Sequence, residues 1–465
     1  MTPWAGETLR AAAVGVLILG TFAAAELWRR RRNAPTEWTR KTVHIGGGLV
    51  AMSFPWIFRS AWTVLALGVV FGGIIWGTRR LGLLGSVHAV ERRSEGGIWY
   101  PIAIVLLFFV GSGQPVFYLI SLGALVLSDA LAALVGEAYG RTPYEVEEDR
   151  RTVEGSAVFF LVTFFAAHLP LLLLTDVTRG AAVLIAVQIA LLVTLFEAIS
   201  VRGNDNLIVP LITFFLLIKM TPRPAAFIGE QLVAQLVIIG GVALLAARTR
   251  MLTAAGAVAA SLFFYGAWSL GGAEWTVAPA AALLVFAAIH GRSSPAQPNP
   301  RYQVGAVFYA AIVAGGLYVA NNVFETLVPG SPLRAGDPFY PLYLGTLAAH
   351  LAMYALVYRA GTPWARRFGA TGVLRALLLG FGTVVPVGLL VAVRGTWLFD
   401  ALTAGALCLL GVAVYLVACR AWRGPECLPL DYRMQAASAA LALAALLPPY
   451  LLLRSADFVF SVVPG

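Results

Sequence analysis

Apolar segments long enough to cross a lipid bilayer recur along the whole sequence. A helix of about 20 apolar residues spans a hydrocarbon core of about 30 Å, and runs of that length follow one another from one end of the chain to the other. Only 12% of the 465 residues are charged, whereas a soluble globular protein carries about 25%. The sequence therefore predicts an all-α polytopic membrane protein. It excludes a soluble enzyme and a receptor with a single membrane anchor.

The apolar runs predict about sixteen helices, and we therefore expect about 15–16 transmembrane segments. The expected ranges are 9–28, 42–58, 61–78, 98–112, 115–138, 153–174, 180–200, 206–220, 228–247, 252–271, 276–290, 303–325, 339–358, 370–393, 399–419 and 434–453.

Basic residues alternate between the two sides of the predicted helices. Clusters of them occupy every second loop, and the loops between carry single arginines. Since cytoplasmic loops are enriched in Lys and Arg, we expect both termini on the non-cytoplasmic side. Membrane anchoring also explains the net charge of +10, so no nucleic-acid partner is expected. The clustered residues are Arg29, Arg30, Arg31, Arg32, Arg40, Lys41, Arg79, Arg80, Arg92, Arg93, Arg141, Arg150, Arg151, Arg248, Arg250, Arg366, Arg367, Arg420 and Arg423, and the single ones are Arg59, Arg179, Arg223, Arg334, Arg394 and Arg454.

Ionisable residues inside apolar helices are costly and usually functional, and four such places lie on the predicted cytoplasmic side. The first is the start of the second helix, where Glu37, Lys41 and His44 share one helical face and Arg40 lies beside them. One interpretation is a helix start whose basic side chains reach the membrane surface, with a stabilising Glu–Lys pair. The other is a cationic rim that binds a polyphosphate.

The second place is Asp129 in the fifth predicted helix, about 10 Å below the helix end by helical rise. Ala133, Gly136 and Gly140 lie on the same stripe of the helix. A carboxylate at that depth needs a cation, a hydrogen-bond donor or a metal, and small residues above it would leave an open groove. The alternative is helix packing through the two glycines, with Asp129 paired to a neighbouring helix.

The third place is the loop and helix start that follow. Its guanidinium groups can clamp phosphates, its Thr hydroxyl and exposed amides can donate to them, and Glu154 can bind Mg²⁺ or orient a hydroxyl. The alternative is a helix cap at Thr152. The residues concerned are Arg150, Arg151, Thr152, Glu154, Gly155 and Ser156. The acidic run before them, Glu145, Glu147, Glu148 and Asp149, predicts a solvated loop with no assigned role.

The fourth place joins the seventh and eighth predicted helices. Glu197 lies one turn inside the seventh helix, and Asp205 and Asn206 begin the eighth. A helix cap is the structural alternative for Asp205 or Asn206, but it does not explain Glu197. Together the four places supply carboxylates and cations that suit Mg²⁺ and a nucleoside triphosphate, because phosphoryl transfer depends mainly on positioning and charge neutralisation. Neither a Walker A motif nor a kinase Gly-rich loop is present.

These motifs, in order and spacing, resemble the dolichol kinase/phytol kinase family over residues ~30–220. They read Glu37-x-x-Arg40-Lys41-x-x-His44, Asp129-Ala130-x-Ala132-x-x-x-Gly136-x-x-x-Gly140, Arg151-Thr152-x-Glu154-Gly155-Ser156 and Glu197-x-x-Ser200-x-x-Gly203-x-Asp205-Asn206-x-x-x-Pro210. The resemblance implies a CTP-dependent, Mg²⁺-requiring kinase that phosphorylates the hydroxyl of a membrane isoprenoid alcohol at the cytoplasmic face. The family usually has Lys where this chain has Arg151, and the two are not interchangeable at a phosphate.

Within that interpretation, Asp129 binds Mg²⁺ with help from Glu197 or Asp205, and either Glu154 or Asp129 accepts the alcohol proton. Glu37 and Asn206 support the site. The expected nucleotide-binding residues are Arg40, Lys41, His44, Gly136, Gly140, Arg150, Arg151, Thr152, Gly155 and Ser156.

The sequence predicts a kinase-like domain over residues 1–225 and a second helical membrane domain over 226–465. Stretches within ~250–390 of the second domain resemble the phytyl-phosphate kinase-like family. The acidic residues of that family are absent there, and His350, Ala352 and Tyr354 occupy the neighbourhood. A structural or lipid-binding role is therefore expected in place of a second kinase reaction.

Two other functions remain as alternatives. Thr152-x-Glu154-Gly155 is also similar to phosphatidate cytidylyltransferase, which would transfer CMP to a lipid phosphate. The strongest motif of that enzyme, a Lys-Asp followed by a Pro-Gly-His-Gly-Gly and Asp-Arg run, is missing. A lipid transporter or binding protein without chemistry would instead place ionisable residues along a path through both leaflets. The sequence does not indicate an oligomeric state.

Overall fold

The computed structural model describes residues 3–88, 96–147, 149–290, 302–327, 337–359, 370–392, 396–421 and 432–462. Several residues named from the sequence lie outside these ranges: Arg92, Arg93, Glu148, Arg334, Arg366, Arg367, Arg394 and Arg423.

The described chain consists of seventeen helices and one short hairpin. The helices are α1 (Pro3–Arg32), α2 (Thr36–Met52), α3 (Phe54–Ile57), α4 (Ala61–Arg80), α5 (Gly85–His88), α6 (Gly96–Gly111), α7 (Pro115–Tyr139), α8 (Val153–Leu174), α9 (Arg179–Ala198), α10 (Asp205–Met220), α11 (Ala225–Thr249), α12 (Ala254–His290), α13 (Val304–Leu327), α14 (Tyr340–Arg359), α15 (Ala370–Ala392), α16 (Trp397–Ala421) and α17 (Tyr432–Val462). The strands β1 (Pro143–Val146) and β2 (Asp149–Thr152) precede α8.

The predicted fold class, an all-α polytopic membrane protein, is confirmed. In the described residues, twelve helices are long and apolar enough to cross a membrane. That number is smaller than the predicted one because α2, α6 and α10 have only 16 or 17 residues. In addition, α12 is counted once, although it consists of two helical stretches separated at Gly272, whose φ of 74° and ψ of −161° are non-helical. The break expected between the ranges 252–271 and 276–290 is therefore present. The sidedness of the termini stays a prediction.

The chain divides into two compact units, Met1–Val233 (unit 1) and Ala234–Gly465 (unit 2). The division falls inside α11, a few residues after the predicted domain boundary. The four places with ionisable residues that were singled out from the sequence all belong to unit 1.

Helix α7 is the centre of unit 1 and packs against α2, α8 and α10. Its buried face contains small and hydroxylated residues, which let neighbouring helices approach closely within a bilayer. Ser121 donates to the Phe117 carbonyl, and the Ser128 and Thr163 hydroxyls lie 2.8 Å apart, which joins α7 to α8. These hydrogen bonds satisfy the polar side chains in a region without water.

Gly48 sets the close approach of α2 to its neighbours. A Cβ atom added there would overlap Val126 of α7 and the hydroxyl of Tyr100. That hydroxyl donates to the His44 carbonyl over 3.0 Å and thus joins α6 to α2. The adjacent Gly47 has no atom within 4 Å of an added Cβ. Two neighbouring glycines therefore have different constraints.

The acidic run predicted as a solvated loop falls within the antiparallel β1–β2 hairpin. Tyr144 pairs with Arg151, and Glu145 pairs with Arg150. The hairpin ends at Thr152, whose hydroxyl oxygen accepts a hydrogen bond from the Gly155 amide and caps α8. It consequently fixes both arginines beside the first turn of α8.

In unit 2, α14 packs against α12, α13, α15, α16 and α17. Its apolar window is wholly buried. Tyr340 and Tyr343 donate to the carbonyls of Gly388 (3.0 Å) and Trp275 (2.7 Å), which ties α14 to α15 and α12.

The neighbouring glycines of α2 provide a matched test of the α2–α7 contact. We expect Gly48→Ala to lower the free energy of unfolding by about 1–3 kcal/mol, because overpacking forces the helices apart. Gly47→Ala adds the same methyl group in open space and should be neutral or stabilising by up to about 1 kcal/mol, because Ala favours helix. Thermal unfolding of the purified proteins in detergent measures both. Equal melting temperatures for the two variants would contradict the packing described.

Candidate active site at the junction of two cavities

The four sequence-predicted segments meet in one cavity of about 350 Å³ in unit 1, here called the polar cavity. It lies between the start of α2, the second half of α7, the hairpin with the start of α8, and the α9–α10 junction. The lining residues are Glu37, Arg40, Lys41, Asp129, Ala132, Ala133, Gly136, Glu137, Arg150, Arg151, Thr152, Gly155, Ser156, Glu197, Gly203, Asp205 and Asn206.

Asp129 is bound by a cation from the neighbouring helix. The Lys41 ammonium lies 2.7 Å from its Oδ2 and also donates to its backbone carbonyl over 3.3 Å. Both side chains are largely buried, Lys41 more completely than Asp129. Breaking a buried ion pair leaves an uncompensated charge, so each partner holds the other in place.

His44 lies on the other side of the same carboxylate. Its Nε2 is 3.6 Å from Asp129 Oδ2, which is too long for a hydrogen bond, and it has no hydrogen-bond partner in the described structure. Its ring lies 4.5 Å from the Tyr100 ring. Although predicted among the nucleotide-binding residues, His44 does not line the polar cavity.

Arg40 is oriented by Glu37 through two hydrogen bonds of 2.6 and 3.1 Å. The Glu–Lys pair considered from the sequence is therefore not the pairing adopted, because Glu37 binds Arg40 and Lys41 binds Asp129. Both basic side chains nonetheless line the polar cavity.

Arg151 ties the hairpin to the end of α9. Its guanidinium forms an ion pair with Glu197 and donates to the Ser200 carbonyl over 3.0 Å. Glu197 is buried and is neutralised by this contact. Arg150, the neighbouring cation of the same strand, is exposed and lines the cavity.

The close contact between α7 and α8 forms the small-residue wall of the cavity. A Cβ at Gly155 would lie 3.1 Å from the Ala132 carbonyl and 3.4 Å from Gly136 Cα. Ser156 faces the hairpin, and its hydroxyl is 2.8 Å from that of Tyr144. Gly140 does not line the cavity; a Cβ added there would overlap the Gly136 carbonyl and the Thr152 side chain.

Glu154 is turned away from the polar cavity. Its exposed carboxylate accepts hydrogen bonds from the Thr142 amide (3.1 and 3.2 Å) and hydroxyl (3.0 Å). In this position it joins the loop before β1 to α8. Of the two carboxylates predicted as proton acceptors, only Asp129 lines the cavity.

Asp205 and Asn206 begin α10 and are buried where they line the cavity. Asn206 donates to the Gly203 carbonyl over 3.2 Å. Gly203 has a φ of 83°, a conformation that only Gly adopts readily. The backbone therefore turns sharply here and directs the N-terminus of α10 toward the carboxylates and cations.

A preformed metal cluster is absent from the described part of the chain, in which no three His, Cys, Asp or Glu side chains are grouped to hold an ion. Mg²⁺ in phosphoryl-transfer sites needs only one or two carboxylates, since phosphates and waters complete its coordination. Asp129, Glu197 and Asp205 all line the cavity and fit that requirement. In this structure Asp129 is paired with Lys41 and Glu197 with Arg151, so a metal ion would share either carboxylate with its cation.

A second cavity of about 240 Å³, here called the apolar cavity, adjoins the first. Residues of α1, α2, α4 and α6 line it, and they are mostly aliphatic and aromatic. His44, Gly47, Trp76 and Tyr100 belong to this lining. The two cavities share four lining residues: Arg40, Lys41, Asp129 and Asn206.

The apolar cavity was not predictable from the sequence, since apolar composition does not encode shape. Tyr100 and Glu137, which line the apolar and the polar cavity respectively, were not among the predicted site residues. A tyrosine hydroxyl in an otherwise apolar helix, next to Pro101, was the available signal for the first.

Comparison with known proteins identifies the family. No protein-family model matches the chain, and no solved structure matches it. A curated protein named phytol kinase, from Synechocystis sp., is 35% identical over 213 residues, which cover 45% of this chain and 88% of the relative. The phytol kinase part of the predicted resemblance is thus confirmed, whereas the dolichol kinase part stays a prediction. At that identity and coverage, the chain belongs to the phytol kinase family.

Proposed function

We propose that this protein transfers the γ-phosphate of CTP to the hydroxyl of a membrane isoprenoid alcohol, with Mg²⁺, at the cytoplasmic face of the membrane. Family membership supports phosphorylation of an isoprenoid alcohol. The observation that carries the proposal is that an apolar and a polar cavity meet at Asp129.

The apolar cavity suits the hydrocarbon part of the alcohol. Its walls are four helices of a membrane-embedded unit, so an isoprenoid chain enters without crossing water. Ligand sites typically combine apolar walls with a few polar groups that fix orientation. Here those groups are His44, Tyr100 and the shared Lys41–Asp129 pair.

The polar cavity suits a triphosphate bound with a divalent cation. Helix N-termini favour phosphate, and α8 and α10 both begin at its wall. Four cations line it, Arg40, Lys41, Arg150 and Arg151, together with five carboxylates, Glu37, Asp129, Glu137, Glu197 and Asp205. Since the carboxylates outnumber the cations, a triphosphate is favoured only if a divalent cation enters with it. Mg²⁺ would supply this charge and reduce the repulsion between the phosphates and the attacking oxygen.

The shared residues define the chemistry. The alcohol proton passes to the Asp129 carboxylate as the alcohol oxygen bonds to the γ-phosphorus, and the bond from that phosphorus to the β–γ bridging oxygen breaks to release CDP. Lys41, which already touches Asp129, is within reach of the transferring phosphoryl oxygens. As the carboxylate takes the proton and becomes neutral, the Lys41 ammonium would pair with the phosphate instead.

His44 serves the alcohol in this proposal. Of the two cavities, His44 lines only the apolar one. Its Nε2 lies on the side of Asp129 and has no hydrogen-bond partner in the described structure. A hydroxyl between the two side chains would hydrogen-bond both. The imidazole thus orients the alcohol oxygen toward the base.

Direct assay of the purified full-length protein tests the proposal. We expect transfer of label from γ-labelled CTP to phytol or geranylgeraniol, release of CDP, and loss of activity when EDTA removes Mg²⁺. Parallel assays with ATP, UTP and GTP determine the donor. Release of pyrophosphate with a cytidylylated lipid would instead indicate a cytidylyltransferase, and no turnover of any lipid alcohol with any nucleotide would refute the kinase proposal.

Asp129→Asn tests the proton acceptor. The amide keeps the size of the side chain but removes the base, so we expect kcat to fall by about 10²–10⁴-fold, the usual contribution of general-base catalysis. Asp176→Asn, at an exposed residue outside both cavities, is the matched control and should keep wild-type kcat. Melting temperatures establish that both variants fold. A folded Asp129→Asn protein with wild-type kcat would exclude Asp129 as the base.

Gly47→Leu tests the division of substrates between the cavities. Gly47 lines the apolar cavity with open space around its α-carbon, so a leucine side chain would occupy volume meant for the alcohol. We expect the KM for the alcohol to rise by about tenfold or more, equivalent to about 1.4 kcal/mol, while the KM for the nucleotide stays unchanged. Gly73→Leu, on the exposed side of α4, adds the same side chain outside the cavity and should change neither constant. A rise confined to the nucleotide KM would reverse the assignment.

A further inference from the structure

Unit 2 contains a cavity of its own, of about 190 Å³. Residues of α12, α13, α14 and α17 line it, and most of them are aliphatic or aromatic. Phe263, Phe286, Ala310 and Leu347 are examples. The cavity does not involve any residue of the kinase site in unit 1.

One buried histidine interrupts this apolar lining. His350 of α14 is only 8% exposed, and neither of its ring nitrogens has a hydrogen-bond partner in the described structure. A buried polar group without a partner costs about 1–3 kcal/mol. A ligand that offers a hydrogen bond at this position would remove that cost, whereas the acyl chain of a membrane lipid would not.

The lining is also uncharged. Besides His350, its polar members are Gln435 and the tyrosines Tyr302, Tyr354 and Tyr432, and none of the lining residues is Lys, Arg, Asp or Glu. A phosphate group placed there would be without a counter-charge among these residues, and burial of an unpaired charge is strongly unfavourable. The cavity consequently favours a ligand with a long apolar body and a neutral hydroxyl.

We propose that unit 2 binds a neutral isoprenoid alcohol, separately from the kinase site, with its hydroxyl hydrogen-bonded to His350 and its chain along α12 and α13. The neutral imidazole has one donor and one acceptor, and a hydroxyl group matches either. The choice of an isoprenoid alcohol over another neutral lipid rests on the function proposed for unit 1. The preference for the alcohol over its phosphate follows from the uncharged lining of the cavity.

Photolabelling of the full-length protein tests this site. A diazirine analogue of geranylgeraniol is irradiated with the detergent-purified protein, and labelled peptides are mapped by mass spectrometry. We expect label on α12, α13 or α14, displaced by unlabelled geranylgeraniol about tenfold better than by geranylgeranyl monophosphate. His350→Leu should reduce this labelling about tenfold, as expected for the loss of one hydrogen bond of about 1.4 kcal/mol. His350→Gln should restore part of it.

The controls separate this proposal from that for unit 1. His168→Leu makes the same substitution in α8, outside the cavities described, and should leave the labelling of unit 2 unchanged. Asp129→Asn should also leave it unchanged, since labelling needs no turnover. If His350→Leu fails to fold, the competition experiment with the wild type decides. Absence of label from unit 2 in a protein that phosphorylates the alcohol, equal displacement by the monophosphate, or full displacement by diacylglycerol would overturn the proposal.

Discussion

The buried pair of Lys41 and Asp129 is the contact on which the candidate site depends. A carboxylate inside a membrane-embedded helix requires a counter-charge, and the ammonium of α2 supplies it at 2.7 Å. The pair joins the central helix of unit 1 to its neighbour and lies where the two cavities meet. The same contact therefore orients the two helices and places a cation next to the carboxylate.

Much of this site was predictable because the membrane makes ionisable residues conspicuous. Asp129 and Glu197 are rare charges in apolar helices, and both line the polar cavity with the basic residues that the sequence grouped with them. The choice of partners was not predictable. Glu37 lies about one helical turn from both Arg40 and Lys41, and only the position of α7 determines that Lys41 turns to Asp129. Similarly, Glu154 has the right spacing for the site, but the preceding loop binds its carboxylate.

Shape was the other feature that the sequence could not provide. The fold class follows from length and composition, and the gap predicted between the ranges 252–271 and 276–290 coincides with the non-helical residue Gly272 of α12. The β1–β2 hairpin forms in a segment whose acidic residues predicted only a solvated loop. Whether a helix position has room for a side chain depends on single neighbouring atoms: an added Cβ meets no atom within 4 Å at Gly47 but overlaps Val126 at Gly48. Composition does not distinguish such positions.

The sharing of four residues by two otherwise separate cavities has a kinetic consequence for the proposed reaction. A hydrophobic acceptor and a water-soluble donor would reach the same carboxylate from different directions, so neither obstructs the route of the other. Occupancy by one need not precede occupancy by the other, and both would be present at once when the phosphoryl group moves. Such an arrangement corresponds to direct in-line transfer within a ternary complex, with no phosphorylated protein along the way.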